Sequence, residues 1–154
     1  MNYPTVELDP IRRMRVLAAA IPGAAVVERV LDAPFDPVWA AATDFEGGVP
    51  RIELFIGAAE VLSREGERVE VRIKPRMLPG AQRLQVLLRP GWCWMSTPTT
   101  VAGMAAVPEG ERTRFSHLEA FTVPGGRYMA PLLTLKMRLT RELERIERIA
   151  RERA

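Results

Sequence analysis

The segment Leu132 to Ala150 reads LLTLKMRLTRELERIERIA, and its apolar residues recur every three to four positions. That spacing predicts one long helix with a single apolar stripe. The stripe consists of Leu132, Leu135, Leu139, Leu143, Ile146 and Ile149 or Ala150. On the other face Glu144 precedes Arg148 by four residues, as on a solvated helix surface. A helix of ~25 residues with such a stripe must bury it against another element of the chain.

The sequence before this helix has the pattern of strands joined by turns. Val69, Val71 and Ile73 alternate with charged residues, which predicts a strand with one dry face and one wet face. Glycine and proline turns separate about six such segments, and a further strand precedes two short helical patterns, one of which begins at Asp36-Pro37. Successive strands with segregated helices indicate an α+β protein. We therefore predict a helix-grip fold, in which an antiparallel sheet of six or seven strands wraps around the C-terminal helix and leaves a cavity.

The first 23 residues form an addition to this core. Asp9-Pro10 is a typical helix start, and Pro22-Gly23 is a typical stop. We predict a helical extension over residues 1–23 and the helix-grip domain over residues 24–154. The extension could cover an open sheet edge, form a lid, or provide a homodimer contact. Its sequence does not resemble a secretory signal, and the chain has no apolar run of the roughly 18 residues that a membrane span needs, so the cytoplasm is the expected compartment.

The composition limits the classes of partner and cofactor. The chain of 154 residues fits one domain, and its 20 arginines and 2 lysines exceed its 19 acidic residues by only three charges. Many of the arginines alternate with glutamates instead of forming a basic stripe, so nucleic-acid binding is not expected. One cysteine, Cys93, and one histidine, His117, cannot form a closed zinc site. We expect no metal and no cofactor, and a buried thiol at Cys93.

The only histidine lies in the stretch Arg114 to Phe121, RFSHLEAF. In a strand, Phe115, His117, Glu119 and Phe121 share one face, and this mixture of aromatic and ionisable side chains suits the wall of a largely apolar pocket. Three roles are open to His117 and Glu119: structural contacts, ligand contacts, or acid-base catalysis with His117 as the proton-transfer group and Glu119 as the orienting group.

Apolar side chains on several elements are expected to complete the pocket wall. Each of them could equally fill the core, and the two tryptophans are as typical of a core or an interface as of a ligand site. The predicted ligand contacts are Val71, Ile73, Val86, Trp92, Trp94, Met104, Phe115, Phe121, Met129 and Leu132.

The residues Glu28 to Trp39, ERVLDAPFDPVW, followed by Asp44-Phe45, Pro50-Arg51-Ile52 and Glu60-Val61-Leu62, resemble the opening of START-like, Bet v 1-like proteins. This superfamily is also described as SRPBCC or polyketide cyclase/dehydrase-like. The segment from Glu111 to Phe115, the strand after it and the long C-terminal helix extend the resemblance over roughly residues 24 to 150. The resemblance implies the helix-grip fold.

The resemblance leaves the activity open, because one fold of this kind serves several functions. The first hypothesis is the binding of a small hydrophobic molecule, such as a lipid, a polyketide or an aromatic metabolite. The second is a cyclase, dehydratase or aromatase that uses His117 and Glu119. The third is a protein-interaction domain whose core is filled by side chains.

Overall fold

A computed structural model describes residues 8–128 and 132–154, and its helices and strands follow the predicted order. One helix precedes the first strand, two short helices follow that strand, and six strands lead to the last helix. The elements are α1 (Pro10–Ala20), β1 (Ala25–Leu31), α2 (Phe35–Ala42), α3 (Val49–Ile52), β2 (Ile56–Glu65), β3 (Arg68–Pro75), β4 (Gln82–Arg89), β5 (Trp92–Ser96), β6 (Thr100–Glu109), β7 (Arg112–Phe121), a 3-10 turn (Gly126–Tyr128) and α4 (Leu132–Arg153).

The seven strands form one antiparallel sheet in the order β1-β7-β6-β5-β4-β3-β2. Each strand from β2 to β7 pairs with its neighbour in sequence, and β1 closes the other end by pairing with β7. A turn at Pro90–Gly91 separates strands β4 and β5, which the sequence pattern presents as one interrupted strand. Gly91 has a φ of 73° in this turn. The predicted α+β helix-grip fold is confirmed.

Helix α4 lies against the inner face of the sheet, as its apolar stripe requires. Leu143, Ile146 and Ile149 are buried in the main core together with residues of the sheet and of helices α2 and α3. Leu135 and Leu139 form a smaller cluster with Ala25 near the other end of α4. Helix α4 lies closest to strands β1 and β7 at one end of the sheet, and the space that it leaves against the other strands becomes the cavity described below.

Helix α1 covers the outer face of the sheet, and it is neither an edge cover nor a lid over the cavity. Asp9 caps the helix as predicted, because its carboxylate accepts hydrogen bonds from the backbone amides of Ile11 and Arg12. Ile11 and Met14 are buried against Trp92, Ala105 and Leu118 on strands β5, β6 and β7. The helix thus buries the outer face at the centre of the sheet.

Two predicted boundaries differ from the structure. Helix α2 begins at Phe35 with Pro34 at the N-cap position and no side-chain cap, whereas the sequence pattern suggests that Asp36 is the cap. Pro34 has a φ of −63° and an extended ψ, which leads directly into the helix, and Asp36 lies in the first turn where the helix dipole favours a carboxylate. The segment AVVERVLDA from Ala25 to Ala33 predicts a strand that continues to Ala33, but strand β1 ends at Leu31.

Candidate functional site

A cavity of about 490 Å³ lies between the inner face of the sheet and the helices α2, α3 and α4. Its size falls in the range of small-molecule sites. Most of its wall is apolar, and representative lining residues are Phe45, Ile52, Phe55, Ile73, Leu84 and Met95. Phe55 and Leu78 line the cavity and are also largely exposed to solvent, so they lie at its mouth.

Strand β7 carries the predicted pair into the cavity. His117 and Glu119 both line it, and the strand alternation places Leu118 on the opposite face, where it is buried beneath α1. Four of the predicted ligand contacts also line the cavity, namely Val71, Ile73, Met104 and Phe121.

Val86 and Phe115 face the interior of the protein but do not line the cavity. Both are buried in the main core, where the ring of Phe115 lies 6.4 Å from that of Trp39 on helix α2. Helix α2 closes over this end of β7, so Phe115 contacts side chains instead of open space.

Trp92 and Trp94 lie on the outer face of the sheet and are not part of the cavity wall. Their rings stack 6.3 Å apart, and Trp92 is buried with residues of helix α1. The two do share a face of β5, but Cys93 and Met95 take the inner face. Strand alternation alone does not say which of two apolar faces is the inner one. Met129 lies outside the described residues, as does the side chain of Leu132.

Five ionisable side chains line the cavity, and we call them the inner charged cluster. They are Glu53, His117, Glu119, Arg138 and Glu142. His117 and Glu119 come from β7, Arg138 and Glu142 come from α4, and Glu53 follows α3. All five are at most one-fifth exposed, and Glu142 is only 1% exposed. The cluster therefore joins the sheet to two helices in a poorly solvated part of the protein.

Arg138 is the central cation of the inner charged cluster. It donates a short hydrogen bond from Nη2 to Oε2 of Glu119. Its Nη1 lies 3.7 Å from Oε1 of Glu53, and its Nε lies 3.8 Å from Oε1 of Glu142. Arg138 thus forms a charge-assisted hydrogen bond with Glu119 and looser ion pairs with the other two carboxyls.

His117 and Glu142 approach each other without forming a hydrogen bond. Nδ1 of His117 is 3.2 Å from Oε2 of Glu142, but the relative orientation of the groups is not that of a hydrogen bond. Among the described residues, neither Nδ1 of His117 nor Oε1 of Glu142 has a hydrogen-bond partner, although both atoms are buried. Both residues line the cavity, but these two atoms are covered by neighbouring atoms, so a ligand reaches them only if the side chains turn toward the cavity.

The buried setting shifts the pKa values of three groups toward their neutral forms. Burial raises the pKa of Glu142 to about 7. Burial and the charge of Glu142 raise the pKa of Glu53 to about 7, and a hydrogen bond between the two carboxyl groups, which can share one proton, acts in the same direction. Burial lowers the pKa of His117. Near neutral pH the cluster therefore contains a neutral imidazole and two carboxyl groups that are each part protonated, which are suitable proton donors and acceptors.

Sequence reasoning missed Glu53, Arg138 and Glu142. Arg138 and Glu142 each stand one position before a leucine of the buried stripe, and they are four residues apart. Arg145 and Arg148 likewise stand one position before Ile146 and Ile149 without joining the cluster, so this pattern does not single out Arg138 and Glu142. Glu53 gives no signal either, since it follows a four-residue helix in a loop.

The described residues provide neither a metal-binding cluster nor a membrane-spanning helix. Among the described residues, no group of three or more histidine, cysteine, aspartate or glutamate side chains is arranged to hold a metal ion. Within the same part of the chain, none of the helices combines the length and the apolarity needed to cross a membrane.

Several solved structures are similar to this protein in their overall fold. No protein-family model matches the chain, and comparison with curated protein sequences finds no significant match. A Thermus thermophilus protein has a TM-score of 0.66 at 21% identity, with 85% of this chain and 99% of that chain covered. The Zhui aromatase/cyclase of a Streptomyces species has a TM-score of 0.65 at 15% identity, with 84% and 94% covered.

A START superfamily protein from Mycobacterium smegmatis has a TM-score of 0.56 at 14% identity, with 84% of this chain and 95% of that chain covered. At these identities the likeness establishes the fold. The chain therefore has the helix-grip fold that these solved structures share, among them an aromatase/cyclase and a START superfamily protein.

Proposed function

We propose that this protein binds a small hydrophobic molecule in the cavity between the sheet and helix α4. The observation that carries the proposal is a cavity of about 490 Å³ whose wall is mostly apolar and whose polar groups are concentrated in the inner charged cluster. Apolar walls supply affinity through burial, and a few polar groups orient the ligand. The open volume also argues against the hypothesis of an interaction domain with a filled core.

Binding is tested first by native mass spectrometry of the gently purified protein, with identification of any molecule released on denaturation. Titration with the uncharged fluorescent probe N-phenyl-1-naphthylamine provides an independent measurement. We expect saturable enhancement of fluorescence at one site per chain. A protein that carries no molecule and does not bind the probe would overturn the proposal.

A matched pair of variants on strand β2 locates the binding site. Ala59 lines the cavity, whereas Ala58 next to it is exposed and does not line the cavity. Ala59→Phe should fill part of the cavity and weaken probe binding by roughly tenfold or more, because the apolar contacts are replaced by the new ring. Ala58→Phe should leave binding unchanged. Equal effects of the two substitutions would place the probe elsewhere.

A second candidate function is an enzyme of the cyclase or aromatase type. The specific observation in its favour is the buried, unpartnered Nδ1 of His117 beside Glu142, and one similar structure is an aromatase/cyclase. In this hypothesis neutral His117 removes a proton from a carbon next to a ketone, and the protonated carboxyl of Glu142 donates a hydrogen bond to the carbonyl oxygen. Glu119 then orients the substrate indirectly by holding Arg138.

The enzymatic candidate is tested by deuterium exchange at the α carbon of a hydrophobic ketone, followed by NMR in D₂O. Exchange that is faster with the wild-type protein than with His117→Ala supports proton abstraction. If His117→Ala retains both the exchange rate and the affinity for the ketone, His117 takes no part in either chemistry or binding.

A further inference from the structure

We propose that the ligand of this cavity is a hydrophobic amine, whose apolar body contacts the cavity wall and whose ammonium group binds between Glu53 and Glu142. The inference rests on the proposed function, since it names the chemical class of the molecule bound in the same cavity. It follows from the charges, the unpartnered atoms and the apolar wall taken together.

The charges of the inner cluster do not balance. Three carboxyl groups face one guanidinium group and one imidazole. The guanidinium of Arg138 is hydrogen-bonded to Glu119, and it approaches Glu53 and Glu142 only to 3.7 and 3.8 Å. Burial favours the neutral imidazole of His117. Within the described part of the chain, no other side chain forms an ion pair with Glu53 or Glu142, so with all three carboxyl groups ionised this end of the cavity is short of two positive charges.

Arg145 is the next cation on helix α4, and it does not fill this position. Its guanidinium donates a hydrogen bond of 2.8 Å to the backbone carbonyl of Ile52. Its charge lowers the pKa of Glu142 from a distance, but burial has the larger and opposite effect. The missing charges must therefore come from outside this set of side chains or be avoided by protonation of a carboxyl group.

The unpartnered atoms show where a positive group would bind. Oε1 of Glu142 belongs to a side chain that is 1% exposed, it has no hydrogen-bond partner among the described residues, and the residue lines the cavity. Nδ1 of His117 is also unpartnered there and is 3.2 Å from the same carboxyl group. An ammonium group has three N–H donors, which can serve Glu142, Glu53 and the unprotonated nitrogen of a neutral imidazole.

Other ligand head groups fit these atoms less well. An alcohol has a single donor and no charge, so it can satisfy one acceptor and leaves the charge imbalance unchanged. A carboxylate would bring a fourth negative group into a poorly solvated cluster, where like charges repel strongly. The apolar wall formed by residues such as Ile73, Leu84 and Met95 requires that the rest of the molecule be hydrophobic.

The test compares three molecules that share one apolar body: 4-phenylbutylamine, 4-phenylbutan-1-ol and 4-phenylbutyric acid. Calorimetric titration at about pH 8 keeps the amine charged and favours the ionised forms of Glu53 and Glu142 more than a lower pH would, because burial raises the pKa of both groups. We expect the amine to bind about tenfold or more tightly than the alcohol, since a hydrogen bond to a charged group is stronger than one between neutral groups. The acid should bind most weakly.

The outcomes separate this inference from the proposed function. If the alcohol binds as tightly as the amine, or if the acid binds best, the cavity is a hydrophobic site and the amine inference is overturned. If none of the three molecules binds and N-phenyl-1-naphthylamine does not bind either, the proposed function fails as well.

Variants assign the effect to the carboxyl groups. Glu142→Gln keeps the shape of the side chain and removes its charge, so the amine should lose about tenfold in affinity while the alcohol keeps its own. Glu53→Gln tests the second carboxyl group of the proposed ammonium site, at a more exposed position, and should also weaken amine binding more than alcohol binding. Glu144→Gln removes one carboxylate from an exposed position of the same helix and should change neither affinity. Equal loss of amine and alcohol binding in both cluster variants would overturn the inference.

Discussion

Nδ1 of His117 lies 3.2 Å from Oε2 of Glu142, and this approach connects the seventh strand of the sheet to the C-terminal helix at the inner end of the cavity. Burial acts on both groups in the same sense, because it lowers the pKa of the imidazole and raises the pKa of the carboxyl group. Each group is therefore held toward its neutral form. If the cavity binds a ligand as proposed, ligand binding, proton uptake and stability depend on the same few side chains.

Glu142→Gln should stabilise the protein, and the gain should depend on pH. The pKa of Glu142 is about 7 in the folded protein, against an ordinary value of 4.5. Between these values the folded protein binds more protons than the unfolded chain, so the free energy of unfolding falls as the pH rises. Glutamine avoids this loss. We expect no difference near pH 4.5 and a gain of up to about 3 kcal/mol above pH 7.

Urea unfolding at a series of pH values measures this difference. The exposed Glu144→Gln variant is the control and should follow the wild type at every pH. His117 contributes in the opposite direction in the wild type and in both variants, because its lowered pKa causes a loss of stability as the pH falls below 6.5. A constant difference between Glu142→Gln and the wild type across the whole range would show that Glu142 is ionised in the folded protein at all these values.

Arg138→Met should destabilise the protein more at about pH 8 than at about pH 5. The substitution keeps much of the apolar stem of the side chain but removes the positive charge that faces Glu53, Glu119 and Glu142. Leaving buried carboxylates unpaired lowers the free energy of unfolding by about 3 kcal/mol or more. At lower pH the carboxyl groups are protonated, so this loss is smaller. Chemical unfolding at the two pH values measures the effect.

The control for Arg138→Met is Arg148→Met, which removes an arginine from an exposed position on the same helix. It should change the free energy of unfolding by less than about 0.5 kcal/mol. If the loss at Arg138 is the same at both pH values, the side chain contributes through packing and not through its charge.

Cys93 should not react with thiol reagents while the protein is folded. The side chain is fully buried on the inner face of β5, and burial raises the pKa of its thiol to about 12. Only the thiolate is nucleophilic, so both exposure and ionisation are lacking. Titration with Ellman's reagent should show no reaction in buffer and one thiol per chain in denaturant. Rapid reaction in buffer would show that strand β5 opens locally.

The sequence predicted the fold well because its two strongest signals have physical causes that tertiary contacts do not override. The apolar stripe from Leu135 to Ile149 must be buried, and the alternation around Val71 requires one dry sheet face. The same alternation put His117 and Glu119 on the inner face correctly. It did not distinguish the inner from the outer face for Trp92 and Trp94, since an added helix makes both faces of β5 apolar.

The candidate site was less predictable than the fold, because its members come from separate parts of the chain. Strand spacing can pair His117 with Glu119, but it cannot show that Arg138 engages Glu119 or that Glu142 approaches His117. These contacts depend on how far helix α4 stands from the sheet and on its rotation about its axis. Neither quantity is encoded in the period of the apolar residues.

Helix α1 should stabilise the sheet without affecting the cavity. Met14 is fully buried on the outer face, and a Cβ atom added at Gly103 would lie only 2.8 Å from its Cε. Met14→Ala should therefore lower the free energy of unfolding by about 2 to 5 kcal/mol, because it leaves a cavity under the helix. Val16→Ala, at an exposed position of α1, should lower it by less than about 0.5 kcal/mol. Thermal unfolding measures both effects.

The same two variants test whether the packing of α1 on the outer face of the sheet affects the cavity on the inner face. The helix lies on the outer face of β5, β6 and β7, and the cavity opens on the inner face. At a temperature where Met14→Ala remains folded, its affinity for N-phenyl-1-naphthylamine should equal that of the wild type. A weaker affinity or a faster dissociation of the probe in Met14→Ala, but not in Val16→Ala, would mean that packing on the outer face controls access to the cavity through the sheet.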